Sequence, residues 1–330
     1  MTQTHDILAF DKLIDAARRK FRELQSVDPF LFDGIENPRV EETIGARAPF
    51  GTIGVPAGVD VSTTQGLIRG IDLTLLDKNA SASDVGAIAK RAADETAATV
   101  CVYPEHVAAV QTVTGGNPPP IAVVGFPSVP VPYEEETEKT LAQTRAAIKD
   151  GAKEIDMVLA LAFMDGNPDY AAHYKYIRRV VVEAAQSGCP VKVILETAYL
   201  TDEQKVEACL LAKMAGARFV KTSTGFALDD LMRPELPKSQ KGAVPYDVAL
   251  MRRAVGDTTL DESGLVVPMG VKASGGVRNR EQAIAVYEAG ASRIGASGGI
   301  DVRTDAEKKQ APQEAGRPTS TGQRGSPTPY

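Results

Sequence analysis

The chain of 330 residues is 43% hydrophobic and 24% charged, enough apolar mass to bury a sizeable core in one large domain or two small ones. Its net charge of -6, from 37 basic and 43 acidic residues, suggests no basic face and so no nucleic-acid partner. Cys101, Cys189 and Cys209 lack metal-ligand spacing and are too few for a disulfide framework, which fits a reducing cytoplasm. Met1 to Asp11 reads as no signal peptide, and no run is long enough to cross a membrane.

In chain order, residues 1 to 66 stand apart. Phe10 to Leu24 reads as an amphipathic helix, with Leu13, Ala16, Ala17, Phe21 and Leu24 on one side and basic residues on the other. A segment dotted with Pro and Gly follows, from Asp28 to Gly66. The expectation is an extension that packs on the next domain; a cover for one end of it, a subunit contact and a membrane-surface helix are the alternatives.

From about Gly66 a rhythm begins, of short apolar run, turn and helical pattern. The runs are Leu67–Leu75, Thr99–Tyr103, Ile121–Phe126, Glu154–Leu161, Val191–Glu196, Phe219–Ser223, Gly270–Ala273 and Arg293–Ala296. Helical spacing separates them at Ser83–Thr96, Glu105–Val113, Glu134–Asp150, Tyr170–Ser187, Asp202–Ala215, Tyr246–Val255 and Arg280–Ala289. Eight strands alternating with helices between residues 67 and 300 predict a (β/α)8 barrel, the TIM-barrel class of α/β fold. A doubly wound open sheet is the alternative, and no Gly-x-Gly-x-x-Gly follows the first strand to favour it.

Within these runs three charged residues are out of place. Lys221 interrupts Phe219-Val-Lys-Thr-Ser-Thr-Gly225, and strand alternation puts Phe219, Lys221 and Ser223 on one face. Lys272 lies likewise in Val271-Lys-Ala-Ser-Gly-Gly-Val-Arg278, and Asp156 in Glu154-Ile-Asp-Met-Val158. Burying an unpaired ammonium is costly, and two ammonium groups at close range depress one another's pKa, which makes an amine nucleophilic near neutral pH. A lysine at a wet strand end, or one paired with a buried carboxylate, is the plainer reading of each position taken singly. Two lysines and an aspartate on three strand ends suggest a Schiff-base site.

These three segments, with Arg293-Ile-Gly-Ala-Ser297, Ile71-Asp-Leu-Thr-Leu-Leu76, Val100-Cys-Val-Tyr-Pro104 and Val191-Lys-Val-Ile-Leu-Glu-Thr197, resemble the deoxyribose-phosphate aldolase family in its own order. The resemblance covers roughly residues 68 to 300. It implies reversible class I cleavage of 2-deoxy-D-ribose 5-phosphate to D-glyceraldehyde 3-phosphate and acetaldehyde, in deoxynucleoside catabolism, without cofactor or metal. Lys221 would form the imine, Lys272 would perturb its pKa and relay protons, and Asp156 would orient a water or shuttle a proton. Asp72 matches a position that supports the lysine pair and a substrate hydroxyl; a turn carboxylate is the plainer reading. A phosphosugar substrate and a homo-oligomer, dimer or tetramer, are expected.

Thr74, Cys101 and Thr222 are further substrate-binding candidates, Cys101 with a latent reactivity toward aldehydes. Lys192 is expected in an ion pair at the barrel floor, and Glu196 supports the site from behind. Glycines let backbone N–H groups approach an anion, so Gly225, Gly275, Gly276, Ser297 and Gly298, at three successive strand ends, are the phosphate-binding candidates, with Ser274 adding a hydroxyl and Arg278 a distant charge. Gly298 stands where the family often has a second serine. His5, His106 and His173 read as surface residues. The loop Ala227 to Val244 is longer than the family's usual one, and the helix expected after the eighth strand is weak. Asp301 to Tyr330 reads as a flexible tail, whose terminal Tyr330 is either inert or a proton-transfer group. The rival readings are another phosphate-binding barrel, whether an isomerase or a different lysine aldolase, and a non-catalytic binding barrel.

Overall fold

A computed structural model describes residues 4–33, 37–45, 48–126, 132–159, 168–226, 242–261, 263–298 and 300–310. Three helices, α1 (Thr4–Val27), α2 (Pro38–Ile44) and α3 (Thr64–Ile68), precede the alternation β1 (Ile71–Leu75), α4 (Ala82–Glu95), β2 (Thr99–Val102), α5 (Val107–Thr114), β3 (Pro120–Val124), α6 (Tyr133–Lys149) and β4 (Glu154–Val158). It continues through α7 (Tyr170–Ala185), β5 (Val191–Ile194), α8 (Asp202–Met214), β6 (Phe219–Lys221) and α9 (Pro245–Val255). A hairpin of β7 (Thr258–Leu260) and β8 (Val266–Pro268) is inserted before β9 (Gly270–Ser274), α10 (Arg280–Glu288), β10 (Arg293–Ser297) and α11 (Asp305–Gln310). Strands β1–β6, β9 and β10 pair in parallel and close into a barrel in the order β1-β10-β9-β6-β5-β4-β3-β2. This is the TIM-barrel topology that the alternation predicted.

The helices begin where their sequences offer caps. Ser81 and Asp84 form a reciprocal capping box on α4, as Thr201 and Gln204 do on α8. On α4, Val85, Ile88, Ala89 and Ala92 face the strands. Helix α8 is different: every residue from Lys205 to Met214 is buried, because α1 and α2 cover the side that would otherwise meet water. Arg253 grips Asp11 through two bonds of 2.7 and 3.0 Å, and Lys20 reaches Glu207 at 2.7 Å. Phe10 meets Tyr246, and Phe21 meets Tyr170, both edge to face.

Several boundaries differ from the sequence expectation. The run from Leu67 is not all strand: Thr63 caps a helical turn through Ile68, and β1 starts at Ile71. The buried stripe of α1 carries Phe10, Ile14, Ala17 and Phe21, whereas Ala16 is exposed. Helix α2 and the β7–β8 hairpin are additions, each too short for periodicity to reveal. Strand β10 does close the barrel, and a six-residue helix, α11, follows it where a tail was expected, begun by Thr304 and held to Thr64 through Glu307. The loop at 227–241 and the end of the chain with Tyr330 lie outside the described residues. No described helix is long and apolar enough to cross a membrane.

Candidate active site

Strand register brings the charged residues together. Lys221 pairs with Lys272 across β6–β9, Asp156 with Lys192 across β4–β5, and Asp72 with Gly295 across β1–β10. All five charged side chains point into the barrel and are buried, Lys221 being 2% exposed and the others not at all. Gly295 gives Lys272 its room: a Cβ there would lie 2.2 Å from Ser274 Oγ and 3.0 Å from Lys272 Cε. Asp72 is the second residue of β1 rather than its end, so it lies deep in the barrel and not in a turn.

Asp156 is the hub. Its Oδ1 accepts from Lys192 Nζ at 2.8 Å. Its Oδ2 accepts from Lys221 Nζ at 2.9 Å and from Lys272 Nζ at 2.8 Å, with Cys101 Sγ at 4.0 Å. Lys272 also stands 2.7 Å from Asp72 Oδ2, and Arg293 donates to Asp72 Oδ1 at 2.7 Å. Below, Lys192 pairs with Glu154, and the rings of the barrel floor take part: Lys192 and Arg293 both lie over Phe219, at 5.7 and 6.0 Å.

Burial alone would neutralise each of these groups. It opposes ionisation of Asp156, but Lys192, Lys221 and Lys272 together outweigh it and hold the carboxyl well below the usual range. Asp72 is held low in the same way, with Lys272 and Arg293 overcoming burial. Lys272 itself is raised above an ordinary lysine, because Asp156 and Asp72 more than offset its desolvation. Four basic side chains (Lys192, Lys221, Lys272, Arg293) face three acidic ones (Asp72, Asp156, Glu154), so basic groups outnumber acidic ones by one.

The other candidates fall into three groups. Thr74 is half-buried above Asp72, donating to its carbonyl at 3.0 Å, and Cys101 lines the interior with its thiol pushed up by burial. Thr222 corrects the sequence reading: its hydroxyl donates to the Ser274 carbonyl at 2.8 Å and accepts from the Ser274 N–H at 2.9 Å, which stitches β6 to β9 rather than facing a substrate. Gly225, Gly275 and Gly276 all have positive φ, of 99°, 94° and 81°, and Ser297 and Gly298 are exposed at the end of β10. A cleft of about 370 Å³ opens beside Gly275, Gly276 and Arg278.

His173 is not on the surface. It is fully buried on α7 against the Tyr133 hydroxyl, and burial holds its pKa down to about 4. Sequence reasoning missed Arg293 and Glu154, which complete the charge network. Each opens its strand, where a charged residue reads as solvent-facing. Among the described residues no cluster of His, Cys, Asp and Glu could hold a metal ion.

What this arrangement can do chemically is hold an amine, shielded from water and flanked by a fixed cation and a shared carboxylate. Barrel enzymes that carry such amines form a class of lyases, and comparison with known proteins narrows it. A family model described as DeoC/LacD family aldolase matches residues 67–307. A deoxyribose-phosphate aldolase of Thermococcus gammatolerans is 40% identical over 236 residues, covering 70% of this chain and 92% of the relative. That of Bacillus cytotoxicus is 41% identical over 240 residues, covering 72% and 95%. Among solved structures, the tetrameric deoxyribose phosphate aldolase of Aeropyrum pernix superposes with a TM-score of 0.56 at 27% identity, covering 73% of this chain and 94% of that one. The chain belongs to the DeoC/LacD aldolase family.

Proposed function

We propose that Lys221 is the imine-forming amine of this enzyme, with Lys272 as its standing cation and Asp156 as the group that orders the proton transfers. The activity is that of a deoxyribose-phosphate aldolase, a class I aldehyde-lyase. The observation that supports these roles is the single oxygen, Asp156 Oδ2, on which both amines rest.

The ion-pair geometry distinguishes the lysines. Among the described residues Lys192 and Lys272 each hold two carboxylates, whereas Lys221 shares its one oxygen with Lys272. Lys221 is therefore the least tightly held and the one free to leave its partner and attack. Once it has passed its proton to a water oriented by Asp156, the neutral nitrogen adds to the aldehyde carbon of the open sugar, and the carbinolamine loses water to give a protonated imine. That imine takes up the electron pair as the bond between the second and third carbons breaks and the hydroxyl on the third carbon gives its proton to a water. Glyceraldehyde 3-phosphate leaves, and the enamine is protonated and hydrolysed to acetaldehyde. Asp156, held ionised, cannot store a proton for long. It instead orients a water or a neighbouring ammonium that moves one. Asp72 keeps Lys272 charged. Thr74 and Cys101 line the path, and Gly225, Gly275, Gly276, Ser297 and Gly298 receive the phosphate.

Residues 67 to 300 are the catalytic barrel in this reading, and 1 to 66 an extension that covers α8 and α9. A homo-oligomer would then use another face, a state that light scattering coupled to size exclusion measures. The three free, buried cysteines fit the cytoplasm. The roles are tested by incubating the protein with acetaldehyde and borohydride and mapping the adduct by mass spectrometry. A two-carbon alkyl mass on Lys221 is expected; an adduct on Lys272 alone, or none, overturns the assignment. An isomerase would give no adduct.

A further inference from the structure

Glu196 follows β5 and is used by none of the steps above. It is 5% exposed, and its backbone is left-handed, with φ 55° and ψ 63°, a conformation uncommon for a residue with a side chain. The strand pairing persists around it: Leu195 N–H donates to the Lys221 carbonyl at 2.9 Å and Thr197 N–H to the Thr222 carbonyl at 3.0 Å. The kink turns one carboxylate toward the segment that follows Lys221. Glu196 Oε2 accepts from the Thr224 backbone N–H at 3.0 Å and also from the Thr224 hydroxyl. The same hydroxyl accepts from Phe226 N–H at 3.1 Å, and the Phe226 ring packs edge-on against Phe126 at 5.6 Å. Oε1 is buried and accepts no well-formed hydrogen bond among the described residues, although the Ser223 side chain lies beside the carboxylate.

We infer that Glu196 is a positioning residue: by clamping Thr224 it fixes the turn from Thr222 to Phe226, and so sets the span between the Lys221 amine and the phosphate-facing backbone at Gly225. The inference rests on the proposed role of Lys221 and concerns a different property, the fit of the phosphorylated substrate rather than imine formation. A left-handed glutamate is poorly accommodated unless its side chain is held, and here both ends of Thr224 hold it. Burial raises the Glu196 carboxyl above its ordinary range while the bonds from Thr224 pull it back, so the clamp is strongest with the carboxylate charged.

The clamp predicts a split between two substrates. Acetaldehyde carries no phosphate and needs only the amine; deoxyribose 5-phosphate needs amine and turn in register. Glu196→Ala and Thr224→Val should each raise KM for deoxyribose 5-phosphate by about tenfold or more, the loss expected for a charge-assisted hydrogen bond. Each should leave the rate of borohydride trapping with acetaldehyde within about twofold of the parent. Glu196→Gln keeps a carbonyl acceptor for Thr224 and should restore most of the loss. The double variant should be no worse than the poorer single one, because both remove the same contact. The inference is overturned if acetaldehyde trapping falls as far as deoxyribose 5-phosphate turnover, if KM is unchanged, or if Glu196→Gln is as impaired as Glu196→Ala with a shifted pH profile. The last result would make Glu196 a proton-transfer group. Should Glu196→Ala fail to fold, Thr224→Val reads the same clamp. Trapping that fails in the parent protein would instead refute the role of Lys221.

Discussion

The barrel interior has two unlike sides. On β2 and β3 the inward residues are Cys101, Ile121 and Val123, joined by Val158 and Ile194 into a small apolar cluster separate from the main core. From β4 round to β1 the inward residues include seven charged ones, Glu154, Asp156, Lys192, Lys221, Lys272, Arg293 and Asp72, with Phe219 beneath them. The contrast shows how a barrel can keep several charges away from water. The apolar arc offers them no solvation, so the fully buried Asp72, Asp156, Lys192 and Lys272 are solvated only by their neighbours, and Coulomb coupling there is strong. Shifting one proton then disturbs all of them, which suits a site that must trade protons with a bound imine. The apolar arc also leaves a wall that a two-carbon aldehyde can lie against.

The bluntest way to break the contrast is to extend the apolar arc across the amine. Lys221→Leu should reduce turnover and borohydride trapping to background while the fold persists, since Asp156 keeps Lys192 and Lys272. Residual trapping at another lysine would show that the polar arc holds more than one competent amine. Lys272→Leu should cost about 10²–10⁴-fold in kcat and shift the pH–rate profile, because the fixed cation beside Lys221 is gone. It should also cost about 3–5 kcal/mol of stability, because Asp72 and Asp156 each lose a buried partner. An unchanged pH–rate profile would remove Lys272 from the electrostatic account. Asp156→Asn keeps the shape but takes the charge from under three ammonium groups. It should slow turnover by about 10²-fold with a smaller change in KM, read by steady-state kinetics with a urea titration as the control.

Much of this contrast could be read from the chain. The strands were legible because runs buried on both faces are nearly continuous in apolar residues, so Lys221, Lys272 and Asp156 stand out inside them. Arg293 and Glu154 were not, because a charge at the first position of a strand looks the same whether it points to solvent or across a barrel floor. Thr222 was named as a substrate contact although the alternation that sets Lys221 inward sets Thr222 on the other face, where it bonds Ser274. The partner of His173, Tyr133, is 40 residues away, a pairing that only the packing of α6 on α7 creates. The left-handed turn at Glu196 has no sequence signal, since glycine or asparagine is the usual occupant.

Lys192 sharpens the comparison by separating floor from mouth. It is as buried as the other lysines but is fenced by Glu154 and Asp156 on the side away from Gly225. Lys192→Met should lower stability by about 3 kcal/mol, seen as a reduced urea midpoint, and change kcat by no more than a few-fold at a temperature where the protein stays folded. If kcat fell as far as in Lys272→Leu, the floor would belong to the chemistry, and the division of the polar arc by ion-pair geometry would be wrong.

The smallest effect tests where acid sensitivity lies. His173 belongs to the outer layer, and burial holds its folded pKa near 4 against an ordinary 6.5. The unfolded chain therefore binds a proton first as pH falls. Stability from the neutral imidazole is complete above pH 6.5 and is drawn down toward pH 4. Asp72 and Asp156 have folded values below the ordinary 3.8, so the stability they add is present above that value and is lost only beneath it. Between pH 6.5 and 5 Asp72 and Asp156 should thus be silent, and the loss of about 1.5 kcal/mol expected there should come from His173. Urea titrations at these two pH values should show that loss in the parent and a nearly level response in His173→Phe. An equal loss in the variant would move the titrating group elsewhere, and a loss abolished by Asp72→Asn would place it inside the barrel after all.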